Sequence, residues 1–144
     1  MTAVHSWDIA PPPRAAAPIA AVELWYREPA VDEQRATVRV TVDGQEPNLR
    51  GHFPGLAIYP GVFVIETLEQ AMALTVQTER DPVLRRIDSV RFLAPLLDGD
   101  ELTLAVVAVP DGDGWRVTAI GTRRDGSVTA RIKARFDRAD DHED

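Results

Sequence analysis

From Pro60 to Gln77 the chain contains no internal proline, and its single glycine, Gly61, stands at the front. The run Val62-Phe63-Val64-Ile65, continued by Leu68, Ala71, Met72, Leu74 and Val76, is too long for an ordinary strand. It predicts a helix of about 16 residues. The first turns are apolar nearly all round, so the helix is expected to be covered on most sides. One such helix cannot cover itself, and this constrains everything else in the fold.

On both sides of the helix the hydrophobic period drops to two. Val38, Val40 and Val42 alternate with Thr37, Arg39 and Thr41. That is a strand with one buried face. Further strands are predicted over 87–93, 102–109, 115–122 and 127–136, with a short first strand over 24–27. In the last of the longer runs, Val128, Ala130, Ile132, Ala134 and Phe136 alternate with polar residues, and Asp125-Gly126 ahead of it signals a hairpin. An antiparallel sheet with one apolar face, wrapped around one long central helix, satisfies both elements, and the fold class is α+β.

The 144 residues suit one domain. Residues 1–20, with Pro11, Pro12, Pro13 and Pro18 among alanines, read as a flexible lead-in. Residues 21–136 form the globular body, and 137–144 an acidic tail. The net charge is −7, and five of the acids (Asp137, Asp140, Asp141, Glu143, Asp144) lie in that tail with only Arg138 against them. An acidic chain is poorly suited to neutralising phosphates, so nucleic acid is not an expected partner. The absence of cysteine excludes disulfides, thiolate nucleophiles and cysteine-held metals. No apolar run is long enough to span a bilayer and no leader pattern is visible, so the expected compartment is the cytoplasm.

Three features carry chemistry. His52 is the one histidine of the body, since His5 falls in the lead-in and His142 in the tail. It sits in Gly51-His52-Phe53-Pro54-Gly55, just ahead of the helix. Glu66 interrupts the apolar run. Either it shares an exposed stripe with Glu69 and Gln70, at i, i+3 and i+4, or it is buried and held protonated by desolvation. Pro60-Gly61 opens the helix, where free N–H groups and the helix dipole can hold a carbonyl oxygen that gains negative charge.

The segment from Gly51 to Gln70 joins these features and resembles the signature of the 3-hydroxyacyl-acyl-carrier-protein dehydratases, the FabA/FabZ family. That signature has His-Phe-Pro, a short spacer, Pro-Gly-Val, then an acid and a glutamine on the helix. Glu66 follows His52 by 14 residues, as in the FabZ branch, and Gln70 falls on the family's glutamine. The stretch from Val90 to Leu102, with Pro95 and Gly99-Asp100, is similar to a second family segment. Ala57 and Tyr59 depart from the family's proline and methionine, which bears on chain-length preference.

The resemblance implies the hot-dog fold and a catalytic pair of His52 and Glu66. It also implies substrate contacts from Gly61, Phe53, Pro54, Tyr59, Val62 and Gln70, with no metal and no cofactor. The implied partners are an acyl carrier protein and a second copy in a homodimer, although some relatives work as heterodimers. Candidate docking charges are Arg85, Arg86, Arg123, Arg124, Arg131, Lys133 and Arg135, each of which is otherwise an ordinary solvated side chain. The alternatives are a hot-dog thioesterase, which would hydrolyse the same thioester, and a non-catalytic acyl-binding subunit of a synthase complex.

Overall fold

The computed structural model describes residues 6–11, 22–28, 30–42, 61–96 and 99–139, with the backbone alone for 61–63. The predicted helix is α1, Gly61–Val76. Among the described residues seven strands accompany it: β1 Asp8–Ile9, β2 Leu24–Glu28, β3 Gln34–Thr41, β4 Val83–Phe92, β5 Glu101–Asp111, β6 Gly114–Thr122 and β7 Val128–Asp137. They form one antiparallel sheet in the order β1-β2-β3-β5-β6-β7-β4.

Each of the four pairings between β3 and β4 reverses direction, so β3 and β4 run parallel at a distance. The chain between them therefore has to cross the sheet, and α1 makes that crossing on the apolar face. Cross-strand register explains why that face is continuous. Ala36, Val106, Ala119, Ile132 and Val90 lie in one row, and Gln34, Ala108, Val117, Ala134 and Ile87 in the next. Small residues (Ala108, Ala119, Gly121, Ala130, Ala134) line the middle of that face. Even a methyl group on Gly121 would meet Thr129 Oγ1 at 3.0 Å and Leu102 Cδ1 at 3.1 Å.

The helix turns Val64, Thr67, Leu68, Ala71, Met72, Thr75 and Val76 into this core, all buried. The buried Thr75 hydroxyl donates to the Ala71 carbonyl at 2.7 Å, which satisfies it inside the helix's own hydrogen-bond ladder. The opposite face carries Glu66, Glu69, Gln70 and Ala73 and is not buried. The sheet thus covers one side of α1, where the sequence suggests cover on most sides.

Three further differences from the sequence reading have local causes. Within the 1–20 segment, expected to carry no packed structure, Asp8 and Ile9 pair with Trp25 and Leu24. Trp7 drives this: its ring meets Tyr26 edge-on at 4.7 Å, and the Arg39 guanidinium lies 4.2 Å over it. β4 begins at Val83, four residues ahead of the predicted start, because bulges at Arg85 and Asp88 break the alternation that marks a strand. The last strand runs to Asp137, one residue beyond the predicted body. The hairpin ahead of it forms as expected, with Gly126 at φ +90° and Asp125 Oδ1 accepting the Ser127 N–H at 2.8 Å.

Candidate active site

Val42, the last described residue after β3, is fixed in place. The Val42 N–H donates to the Asp100 carbonyl at 2.8 Å, and the Gly99 N–H donates back to Val42 at 2.9 Å. Gly99 has φ +86°, a conformation glycine adopts without strain. Val42 is therefore pinned beside the Gly99-Asp100 turn.

His52, Phe53, Pro54 and Tyr59 lie outside the described residues. Gly61 and Val62 form the first turn of α1. This places the free amide end of the helix where the sequence expects it. Glu66 lies on the same helix, just over one turn further on, and is half-buried. The two readings left open by sequence meet here: Glu66 shares its face with Glu69 and Gln70, yet is partly shielded from solvent. Glu69 feels that environment. Its carboxyl is held above the ordinary glutamate range, first by desolvation and then by the neighbouring charge of Glu66.

Gln70 has a structural bond. Its side-chain carbonyl accepts the Val22 N–H at 2.9 Å, tying the entry to β2 onto the helix. Sequence reasoning assigned Gln70 to substrate and did not foresee this tether. Neighbouring cross-links are similar. Arg27 donates to the Gln77 side-chain oxygen at 3.1 Å, so β2 is fastened to α1 at two levels.

The far edge strand is unlike the others. By register, Ile87, Val90 and Phe92 belong to the apolar, helix-side face of the sheet. Yet they are 42%, 38% and 52% exposed, because α1 packs on β3 and β5 and barely reaches β4. An open apolar strip therefore borders the half-open face of the helix.

The sequence model of the ApeI-like family, described as ApeI dehydratase, matches residues 28–125, more than half of the chain. The chain belongs to the ApeI-like family. Among curated relatives it is 40% identical over 97 residues to a 3-hydroxyacyl-[acyl-carrier-protein] dehydratase FabZ of Anaeromyxobacter dehalogenans. It is 37% identical over 99 residues to the enzyme of the same name in Polynucleobacter necessarius. The first match covers 61% of this chain and 62% of the relative, so the ApeI-like chain spans about six-tenths of that relative's length. Among solved structures it resembles the dehydratase heterocomplex ApeI:P from Xenorhabdus doucetiae, with TM-score 0.63 and 22% identity, over 85% of this chain and 100% of that one. The PaaI protein of E. coli, from the phenylacetic acid degradation operon, gives TM-score 0.61 and 21% identity over 79% and 82%. These likenesses show the fold, and it is the hot-dog fold.

Proposed function

We propose that this chain dehydrates a 3-hydroxyacyl thioester held on an acyl carrier protein, giving the trans-2-enoyl thioester, as a cytoplasmic homodimer without cofactor. The observation that carries this is Glu66 on the half-open face of α1, one turn behind the amide end at Gly61, in a chain of a dehydratase family.

The thioester α-proton is weakly acidic, so its removal needs a base and a stabilised oxygen. The His52 imidazole takes the C2 proton while the Gly61 N–H holds the thioester carbonyl as it gains charge. The C3–O bond breaks, the Glu66 carboxyl gives its proton to the departing hydroxyl, and water leaves. Passing the proton from imidazolium to carboxylate resets the pair. Phe53, Pro54, Tyr59, Val62 and Gln70 are the proposed neighbours of the acyl chain.

In one copy the half-buried Glu66 is open to water on the outer face of α1. A second copy laid over the outer face of α1 and the apolar strip of β4 would close that side. It would thereby build the acyl tunnel between subunits. The test is turnover of a carrier-bound 3-hydroxyacyl thioester by His52→Ala and Glu66→Ala variants whose circular dichroism matches the parent. General acid or base loss predicts a fall of about 10²–10⁴-fold in either variant. Undiminished turnover in both would remove the assigned roles and favour a non-catalytic subunit.

A further inference from the structure

Two tethers fix how α1 lies on the sheet. Gln70 accepts from the Val22 N–H, and Gln77 accepts from Arg27. Arg27 stands opposite Ala36, whereas Glu23, next to Val22, donates its N–H to the Arg39 carbonyl. The helix therefore runs antiparallel to β3, with its amide end beyond Arg39 and its last turn near Ala36. The same tethers fix its rotation. At about 100° per residue, Gln70, Leu74 and Gln77 share the flank toward β2. Ile65, Glu69, Met72 and Val76 take the other flank, toward β4. Met72 and Val76 are buried there and Ile65 packs on the core, while Glu69 is exposed.

The apolar strip of β4 lies further along that flank. Val90 shares the cross-strand row of Ala36, and Ile87 that of Gln34, so both are level with the C-terminal half of α1. An acyl chain that reacts at Glu66 and runs on toward the strip passes Glu69, which stands about 4.5 Å beyond Glu66 along the helix axis. The residues before and after it on this flank are apolar. Among the described residues, no cation pairs with Glu69 and no hydrogen bond holds it. Its carboxyl is already held above the ordinary glutamate range, by desolvation and then by the charge of Glu66.

We propose that Glu69 sets an acyl-length limit, admitting short 3-hydroxyacyl chains and rejecting aliphatic chains long enough to lie against it. This rests on the dehydratase reading above and deepens it by naming the substrate class. Methylenes pressed against Glu69 strip water from a carboxyl to which they offer no hydrogen bond, and that loss is uncompensated. A 3-hydroxybutyryl chain ends one carbon past the reacting centre, short of Glu69, and escapes the penalty. An apolar side chain in place of Glu69 would join Ile65 to Met72 and make the path to the β4 strip apolar throughout.

The experiment measures kcat/KM for dehydration of 3-hydroxybutyryl and 3-hydroxydecanoyl pantetheine thioesters. The proteins are the parent, Glu69→Gln and Glu69→Leu, with circular dichroism of the variants matching the parent. The parent should prefer the butyryl thioester by about tenfold or more. Glu69→Leu should raise the decanoyl-to-butyryl ratio by about tenfold or more, chiefly through a lower KM for the decanoyl substrate. Glu69→Gln should raise it less, since the amide keeps its polar atoms. A parent that dehydrates both thioesters equally well, or a ratio that Glu69→Leu leaves unchanged, would overturn the length limit and leave the dehydratase reading intact. A parent that dehydrates neither would overturn that reading, and the length limit with it.

Discussion

At the scale of single residues, the proposed acid and a structural tether share one helix face. Glu66 and Gln70 are neighbours at i and i+4, yet Gln70 holds the Val22 backbone at 2.9 Å. Gln70→Ala should therefore lower stability by about 1 kcal/mol, read by urea unfolding. A variant as stable as the parent would show that the tether contributes nothing. Glu66 stood out in the sequence because a carboxylate inside an apolar run needs an explanation. Glu69 did not, because it reads as part of an exposed stripe until the Gln70 tether sets it on the flank away from β2. The Gln70 tether was equally illegible, since its partner is a backbone amide 48 residues away.

At the scale of elements, the helix is held by the face it turns to the sheet. Leu68 is fully buried against it, and Leu68→Ala should cost about 2–5 kcal/mol in equilibrium unfolding. A loss well under 1 kcal/mol would mean the helix does not rest on this core. The other face carries two carboxylates three residues apart. Because the folded pKa of Glu69 is raised, its ionisation costs the folded state more than the unfolded one. That penalty is absent well below the ordinary glutamate pKa of ~4.3 and sets in as pH rises through it. It is complete above the raised folded value. Glu69→Gln should thus stabilise the protein near neutrality and not in acid, as thermal melts across pH would show. An equal effect at every pH would deny the charge origin. Clean periodicity made α1, β3 and β7 legible to within a residue or three. The start of β4 was hidden by its two bulges, and β1 by prolines that drew attention away from Trp7.

At the scale of the whole molecule, a single copy leaves work undone. The register that makes Ile87, Val90 and Phe92 core-facing leaves them uncovered. Under the proposed homodimer, a second copy covers these exposed apolar residues on the edge strand. Val90→Glu should shift the protein from dimer to monomer in analytical ultracentrifugation and lower turnover with it. A parent that sediments as a monomer and still turns over would contradict the shared tunnel. Sequence showed the sheet and the helix, but how far a helix reaches across a sheet is a matter of packing that periodicity does not encode. The account as a whole stands on the chemistry at the thioester, and intact-mass spectrometry of the carrier protein after incubation reads it directly. Loss of one water from the 3-hydroxyacyl group with the thioester still attached is the result expected. Release of the free hydroxy acid, leaving the bare carrier, would contradict dehydration and identify a thioesterase.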